Sequence, residues 1–352
     1  MKKMTVCYFG IYDKNYPRNK IIISGLKGNG VKIIECNSRK PFLFKYFDLI
    51  CQYYKKRKKF DIMVVGFPGQ TIMILAKLFC RKKIIFDAFT SVYDSYVCDR
   101  KLVSHKSLKA KYYYFLDWFS CRLADKILLD TETHIDYFVK TFKIRKEKFI
   151  CLYVGSTPEI FYPRKNSSKK DKFIVHFHAS GIPLQGIEYV LDAAKELENI
   201  SAICFNIIGG IQSVLAVRKR LALRDYKNVN FVASVPMNKL AQYINQADIS
   251  LGIFGNTSKT KKVVPNKVFE ALACRKPIIT AKTGAVQEIL TDKKHLLFCC
   301  LADGKDLTQK ILKLKKDSNF RNQIAENGYR LFINRFIPKK VVEPLVRIIK
   351  NN

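Results

Sequence analysis

Short apolar runs rich in Val, Ile and Phe alternate along the chain with longer segments of helical periodicity. The runs are apolar on both faces, which is typical of strands buried in a parallel sheet. Segments between them, such as residues 71–79 and 109–123, are long enough for crossover helices. The strands predicted in the first half are residues 4–10, 31–36, 61–66, 83–87, 126–131 and 149–154.

The alternation stops at residues 156–172, where prolines, serines and lysines follow one another without periodicity, and this stretch is predicted to be a linker. Beyond it the pattern resumes. The strands predicted there are residues 173–178, 202–208, 228–232, 248–254, 277–280 and 296–299. The helices predicted between them are residues 186–197, 214–223, 237–246, 266–273 and 285–290.

Two successive β/α series of similar size predict an α/β protein with two doubly wound, Rossmann-like domains facing each other across a cleft. We place the domains at residues 1–155 and 173–330, followed by a basic C-terminal helix over residues 331–352. The chain of 352 residues has the length that two such domains need.

The formal net charge of +35 favours anionic partners: phosphate-bearing substrates, acidic lipid headgroups or nucleic acid. The 11 cysteines include no C-x-x-C pair, so a zinc site is not predicted. The first residues predict a strand rather than a signal peptide, because their apolar stretch is short and runs into Asp13. No window holds the roughly 18 apolar residues of a spanning helix. We therefore expect a reduced, cytoplasmic protein, at most peripheral to a membrane.

Ligands of doubly wound sheets bind at the carboxyl ends of the strands, so the loops after the strands are the candidate sites. Gly10 allows a tight turn after the first strand. Arg18 and Asn19 are expected to open the first helix, whose free N–H groups favour a phosphate or a carboxylate. A solvated surface loop is the alternative. No G-x-G-x-x-G follows Gly10, so the dinucleotide-binding fingerprint is missing.

Lysines surround a predicted helix start in the second domain. Lys259, Lys261, Lys262 and Lys267 lie around Pro265-Asn266, which suit the first turn of a helix. A helix N-terminus with several lysines is a credible cradle for a diphosphate, although a solvated basic loop is the alternative. The chain contains no Asp-x-Asp for Mg²⁺ or Mn²⁺ and no G-x-x-x-x-G-K-[ST] loop. We therefore expect no cofactor and no required metal.

Glu270 is a carboxylate within an otherwise apolar helix segment, and burying it without a partner would be costly. Lys267, three residues earlier, is one possible partner. The vicinal hydroxyl groups of a bound sugar are the other. A weaker hint of phosphate binding is Gly209-Gly210, which follows a predicted strand.

Four stretches of the chain resemble motifs of one known family. VPNKVFEALACRKPIIT (264–280), continued by residues 283–290, resembles the donor-site signature of glycosyltransferase family 4, the large family of retaining GT-B enzymes. PLQGIEYVLDAA (183–194) resembles the loop and helix after the linker, and residues 153–155 and 161–163 resemble the interdomain junction. KIIFDAFTS (83–91) corresponds to the strand that carries the active-site loop.

The resemblance implies that Glu270 binds the nucleotide ribose and that the loop of residues 233–236 frames the nucleobase. The chain also departs from the family pattern. Lys262 replaces the first of two glutamates, and Ser180 and Gln185 replace the Arg and Lys that usually grip the diphosphate. We expect Lys261, Lys262 and Lys267 to take over that role. The expected donor-binding residues are Gly10, Gly209, Val235, Lys261, Lys262, Asn266, Lys267 and Glu270.

The active-site histidine of the family falls near Phe89, so its role is vacant or taken by another residue. The candidates for catalysis are Asp87, Ser91 and Asp94. The candidates for acceptor binding are Tyr12, Tyr16, Arg18 and Asn19. The resemblance implies transfer of a sugar from a nucleoside-diphosphate sugar, with retention of configuration, to a glycan or lipid-linked acceptor.

Aromatic and basic residues are mixed in two segments, residues 39–59 and 109–119, which favours docking on an anionic membrane surface. Packing of these aromatic residues on the sheet is the alternative. Two other functions remain open: an isomerase similar to the nucleotide-sugar 2-epimerases, for which His178 is the best acid–base candidate, and an inactive basic binding protein. A nucleic-acid partner is not expected.

Overall fold

A computed structural model describes residues 4–165, 171–210 and 226–351. The predicted helix over residues 214–223 lies outside the described residues. The chain divides into two compact units. The first unit contains Met1–Gly155 and Ile337–Asn352, and the second contains Ser156–Phe336.

The first unit is built on a six-stranded parallel sheet with the order β2-β1-β3-β4-β5-β6. All six predicted strands are confirmed within a few residues. The central β1 pairs with strands on both sides, for example through Val6 with Ile33 and Ile62. Its residues are almost fully buried, as the apolar runs predict. The strands are β1 (Thr5–Gly10), β2 (Lys32–Asn37), β3 (Ile62–Val65), β4 (Ile84–Phe89), β5 (Lys126–Leu129) and β6 (Phe149–Cys151).

Helices cover both faces of this sheet. The helices that follow the strands are α1 (Pro17–Gly28), α2 (Phe44–Lys56), α3 (Gln70–Phe79), α4 (Leu108–Leu123) and α5 (Glu132–Phe142), with a π-helical turn at Asp94–Asp99 and a 3-10 turn at Lys146–Lys148. Buried residues of α2, α3 and α5 share one core with the strands, while α1 belongs to the core on the opposite face. Pro17 occupies the first helical turn, where its missing N–H costs nothing.

The second unit carries a six-stranded parallel sheet with the order β12-β11-β10-β7-β8-β9. Its strands are β7 (Phe173–His178), β8 (Ile203–Ile208), β9 (Val229–Val232), β10 (Ile249–Leu251), β11 (Ile278–Ala281) and β12 (Leu297–Cys299). Its described helices are α6 (Ile187–Glu196), α7 (Met237–Gln246), α8 (Asn266–Ala273), α9 (Gly284–Gln287), α10 (Gly304–Lys316) and α11 (Ser318–Arg335), with a 3-10 turn at Pro183–Gln185. All six strands predicted for this half are present.

The C-terminal residues complete the core of the first unit instead of forming one separate helix over residues 331–352. Helix α11 ends at Arg335, and α12 (Pro338–Val341) and α13 (Glu343–Lys350) follow. Leu345 and Ile349 are fully buried in the same core as Ile21 of α1. A Cβ on Gly25 would lie only 2.3 Å from the Pro338 carbonyl oxygen, so glycine is needed where the tail crosses α1.

Among the helices that the structure describes, none is long and apolar enough to cross a membrane.

Candidate functional site

Each sheet contains a point at which the strand order reverses, where doubly wound folds usually bind ligands. In the first sheet this point lies between β1 and β3, and in the second between β7 and β10. His178 is the last residue of β7, and the loop after β10 leads into α8, which carries Glu270. The predicted donor-site helix is therefore connected to the reversal point of the second sheet.

His178 and Glu270 meet at this edge of the second sheet. The Nε2 atom of His178 lies 3.0 Å from Oε2 of Glu270. This is an ion-pair distance, but the two groups are not aligned as a hydrogen bond, and Oε2 is buried without a hydrogen-bond partner. The carboxylate therefore keeps a hydrogen-bonding capacity that a ligand hydroxyl group could satisfy.

A second histidine stands behind the first. Nε2 of His176 lies 2.9 Å from Nδ1 of His178, and Nδ1 of His176 is buried without a partner. Burial, with smaller contributions from His178 and Lys267, holds the pKa of His176 well below its usual value. His176 is therefore neutral near pH 7, so it either donates one proton to His178 or accepts one from it. Glu270, His178 and His176 form a short polar chain into the protein.

Lys267 is enclosed beside this chain. Its Nζ is buried without a hydrogen-bond partner and lies 4.1 Å from the centre of the Phe177 ring. Burial lowers the pKa of Lys267 to about 7, and the Glu270 carboxylate opposes that shift. The alternative partner predicted for Glu270 is thus near in space but makes no hydrogen bond with it. In this structure Lys267 contacts the Phe177 ring and acts on His176 and Glu270 through its charge.

The side chain of Gln185 holds the loop after β7 in place. Oε1 of Gln185 accepts hydrogen bonds from the backbone N–H groups of Ser180, Gly181 and Ile182, at 2.9, 2.9 and 3.3 Å. A Cβ on Gly186 would lie 2.4 Å from the backbone nitrogen of Gly255, so the loops after β7 and β10 touch through glycines. Gln185, which replaces a lysine of the family pattern, therefore fixes the loop in this structure.

The other predicted donor residues of this unit also lie in loops after strands or at the start of α8. Gly209 follows β8 at φ +131°, and a Cβ there would lie 1.9 Å from the Ala179 carbonyl oxygen. Val235 is half-buried in the loop between β9 and α7. Lys261 is exposed, whereas Lys262 is buried. Asn266 is the first residue of α8, and Pro265 rather than Asn266 occupies the N-cap position, without a side-chain cap.

Two predicted site residues of the first unit pair with each other. Arg18 and Asp87 are both fully buried, and the guanidinium donates to the carboxylate from Nε at 3.0 and 3.1 Å and from Nη2 at 2.9 Å. Arg18 also donates to the Leu152 carbonyl. Burial lowers the pKa of Arg18, but the Asp87 carboxylate outweighs this effect. Arg18 and Asp87 thus form a buried ion pair, and their expected acceptor-binding and catalytic roles stay predictions.

Three further predicted residues have internal partners. The Tyr12 hydroxyl donates to Glu35 at 2.9 Å, and the Asn19 amide binds the Asp13 and Phe67 carbonyl groups. The Ser91 hydroxyl donates to Asp117 at 2.6 Å.

Ser91 and Asp94, which were predicted for catalysis, are fully buried in the turn after β4. The Ser91 hydroxyl also accepts from the Asp94 backbone N–H at 2.9 Å. Burial raises the pKa of Asp117 to about 6, against the bonds that it accepts from Ser91 and the backbone. These contacts hold the turn after β4 and turn both predicted residues away from the surface.

Tyr16 is the one predicted acceptor residue with a substantially exposed side chain. Its ring centre lies 5.3 Å from that of Phe67 and 6.3 Å from that of Phe89. Phe89 ends β4 at φ +50°, a left-handed conformation that is uncommon for a bulky residue and is often found at functional sites. Gly10 ends β1 at the same edge, with φ +148°. The three rings form an aromatic corner at the carboxyl edge of the first sheet.

The described residues contain no group of three or more His, Cys, Asp or Glu side chains arranged to hold a metal ion.

A family profile described as glycosyl transferases, group 1, matches residues 158–348, which is more than half of the chain and includes Glu270 and His178. The chain belongs to the group 1 glycosyl transferases. The group 1 type expected from the donor-site signature is thereby confirmed, while the finer assignment to family 4 stays a prediction.

Relatives of this group 1 chain include proteins from archaea and bacteria. An uncharacterised glycosyltransferase of Methanocaldococcus jannaschii is 22% identical over 68% of the chain and 63% of its own length. The N,N'-diacetylbacillosaminyl-diphospho-undecaprenol alpha-1,3-N-acetylgalactosaminyltransferase of Campylobacter jejuni is 24% identical over 60% of the chain and 54% of its own length. The chain thus spans between half and two thirds of these relatives.

Solved structures share the fold over the whole chain. HepE of Anabaena, in complex with UDP and glucose, superposes with a TM-score of 0.72 at 12% identity and covers 99% of this chain and 100% of its own. Sucrose-phosphate synthase of Thermosynechococcus elongatus gives a TM-score of 0.73 at 14% identity, with 99% of both chains covered. The predicted GT-B fold of two Rossmann-like domains is confirmed.

Three sets of contacts in this group 1 chain were not predicted from its sequence. The His178–Glu270 contact joins residues 92 positions apart, and only the strand-end position of His178 hinted at it. The aromatic corner needs Phe67 beside Phe89, which no local pattern indicates. The bonds of Gln185 to its own loop follow from a tight turn that begins at Pro183.

Proposed function

We propose that this protein transfers a sugar from a UDP-sugar to an acceptor hydroxyl group with retention of configuration. Membership of the group 1 glycosyl transferases supports the reaction class. The structural neighbour HepE was solved with UDP and glucose, which favours a uridine nucleotide as donor. The donor is assigned to the edge of the second sheet around His178 and Glu270.

The observation that carries this proposal is the buried Oε2 of Glu270, which has no hydrogen-bond partner at the reversal point of the sheet. A carboxylate accepts strong hydrogen bonds, and two vicinal hydroxyl groups of a ribose can supply them. His178 lies 3.0 Å from this carboxylate on one side. Glu270 is therefore the proposed ribose-binding residue.

The leaving diphosphate needs compensating positive charge. Lys267 is the second residue of α8, and Lys261 and Lys262 lie in the loop before this helix. The N-terminus of α8 adds the positive end of the helix dipole. During transfer the bond from the anomeric carbon to the phosphate oxygen breaks and its electron pair stays on the diphosphate. The acceptor oxygen bonds to the same carbon, and its proton passes to the leaving diphosphate.

We assign no divalent metal to this step, because these cations and the helix dipole can offset the charge of the diphosphate. EDTA should then leave the rate unchanged, whereas a metal-dependent reaction would stop.

The acceptor is proposed to be a lipid-linked glycan. The name of the Campylobacter jejuni relative includes a diphospho-undecaprenol acceptor. Tyr16 and the partly exposed Phe67 offer aromatic faces at the carboxyl edge of the first sheet, against which a sugar ring can pack, and the buried Phe89 ring supports both. An acceptor of this kind places the reaction at a membrane surface.

The contact of His178 with Glu270 also suits an isomerase of the 2-epimerase type, since a histidine beside a carboxylate can move a proton. The two functions differ in whether an acceptor is needed. The experiment incubates the protein with UDP-glucose and UDP-N-acetylglucosamine, with and without undecaprenyl-diphosphate-linked sugars, and follows the products by NMR. Release of UDP only with the acceptor, and an axial product linkage, supports the proposal. Epimerised UDP-sugar without any acceptor would establish the isomerase instead.

A further inference from the structure

The first unit exposes large apolar residues to a degree that the described part of the second unit does not. Four neighbouring residues are largely exposed: Phe42 at 85%, Leu43 at 79%, Phe44 at 67% and Phe47 at 68%. In the described part of the second unit, the most exposed large hydrophobic residue is Tyr162, at 44%. Scattered exposed apolar residues are normal, but a contiguous cluster marks an interaction surface. We name these four residues the apolar wedge.

The fold explains why the apolar wedge stays outside. Helix α2 packs on the sheet through Leu49 and Tyr53, which lie one turn apart on its inner face. Phe44 and Phe47 lie on a different face of the first turns, and Phe42 precedes the helix at φ +48°. This left-handed conformation is costly for a bulky residue. The aromatic residues of segment 39–59 therefore do not all pack on the sheet, which was the alternative to membrane docking.

Positive charge surrounds the apolar wedge. Residues 39–59 contain eight Lys and Arg and one acidic residue, Asp48. Arg39 and Lys40 are exposed just before the wedge, although each also pairs with an aspartate, Asp13 or Asp48. Lys45 lies between Phe44 and Phe47 of the wedge in the sequence. A second copy of this basic chain would bring like charges together, whereas an anionic surface is complementary.

Helix α4 carries a second exposed stripe. Leu108, Tyr112 and Phe115 lie at helical spacing and are each at least half exposed. In a parallel sheet, the helix after a strand starts near the carboxyl edge, so α2 and α4 both start near the edge that carries Gly10 and Tyr16. The apolar wedge and the stripe thus begin on the acceptor side of the first unit.

We propose that the first unit docks on an anionic lipid bilayer by inserting the apolar wedge between the headgroups, with the surrounding Lys and Arg on lipid phosphates. Aromatic and aliphatic side chains next to basic residues have this preference for the interface. The docking deepens the proposed function, on which its biological purpose rests, because it brings a lipid-linked acceptor to the carboxyl edge of the first sheet.

The test is co-sedimentation of the full chain with phosphatidylglycerol–phosphatidylcholine vesicles and with pure phosphatidylcholine vesicles. The wedge variant combines Phe42→Ser, Leu43→Ser, Phe44→Ser and Phe47→Ser. The control combines four substitutions of exposed apolar residues in the second unit: Tyr162→Ser, Ile200→Ser, Met237→Ser and Leu312→Ser. All eight side chains are exposed, so both variants should fold, and circular dichroism checks this.

We expect wild type and control to bind the anionic vesicles and the wedge variant to lose at least about thirtyfold in affinity. High salt should weaken but not abolish wild-type binding, because insertion is not screened. Equal binding of the wedge variant and the control would overturn the proposal. So would a wild type that ignores vesicles but forms a dimer that the wedge substitutions dissociate. The readout needs no sugar transfer, so a failed transfer assay and a failed docking assay remain distinguishable.

Discussion

Replacing Lys267 with methionine should stabilise the second unit at neutral pH and weaken its binding of nucleoside diphosphates. The Nζ of Lys267 is buried over the Phe177 ring and has no hydrogen-bond partner. Methionine keeps most of the chain length and removes the charge. A buried cation that lowers stability is reasonable if the protein uses its charge for binding, since functional sites often trade stability for activity.

The magnitude follows from the pKa shift of this lysine. Burial lowers the pKa from 10.5 to about 7, and Glu270 opposes part of the shift. Between about pH 7 and pH 10.5 the unfolded chain holds the proton and the folded chain does not, so wild-type stability rises with pH in this window. A pKa difference of one corresponds to about 1.4 kcal/mol, so the protonated amine lowers the stability of the fold by on the order of 5 kcal/mol at low pH. The contact with Phe177 offsets about 1–2 kcal/mol of this cost.

The assay is chemical or thermal unfolding at about pH 6.5 and about pH 9.5, with Lys261→Met as control because Lys261 is an exposed lysine in the loop before α8. We expect Lys267→Met to gain roughly 3 kcal/mol at the lower pH and about 1 kcal/mol at the higher one. The control should change by less than about 0.5 kcal/mol. A Lys267→Met protein that is destabilised at pH 6.5, or equally stabilised at both pH values, would show that the buried charge of Lys267 does not lower the stability of the fold.

Three further outcomes are expected. Asp87→Asn leaves Arg18 buried without its counter-ion and should lower the free energy of unfolding by about 3–5 kcal/mol. Asp136→Ala breaks an exposed ion pair and should lower it by less than about 1 kcal/mol. Equal losses for the two variants in denaturant titrations would contradict the effect of burial. His178→Ala should weaken UDP binding roughly tenfold by calorimetry, because Glu270 loses its neighbour at 3.0 Å, and an unchanged Kd would remove His178 from the site. Tyr16→Ala should raise KM for the acceptor and leave that for the donor unchanged; a change in the donor KM alone would exclude this assignment.

The fold could be predicted because buried parallel strands are apolar on both faces and therefore stand out without knowledge of their partners. Residues 173–178, predicted as a strand, are β7 without a shift of either end. The donor-site helix was predicted over residues 266–273, which are the observed bounds of α8. These features depend on local composition, turn residues and the spacing of apolar positions.

The pairing of site residues could not be predicted, because it depends on contacts between distant segments. Arg18 fits a helix start in the sequence, but its guanidinium binds Asp87, 69 positions away, inside the core. Likewise, the basic tail resembles a separate helix, while its apolar positions close the core of the first unit beside α1. A charged residue in a motif can bind a ligand or pair with another side chain, and only the fold shows which of the two it does.

The proposed function depends on Glu270 binding the ribose of a uridine nucleotide in the second unit. Its most direct test is calorimetric titration of UDP, without added metal, into wild type, Glu270→Ala and Glu326→Ala, where Glu326 is a partly exposed carboxylate of the same unit. Losing charge-assisted hydrogen bonds to the ribose should weaken UDP binding at least about tenfold in Glu270→Ala, while wild type and Glu326→Ala bind alike. Equal affinity in all three proteins, or no UDP binding to a folded wild type, would contradict the account.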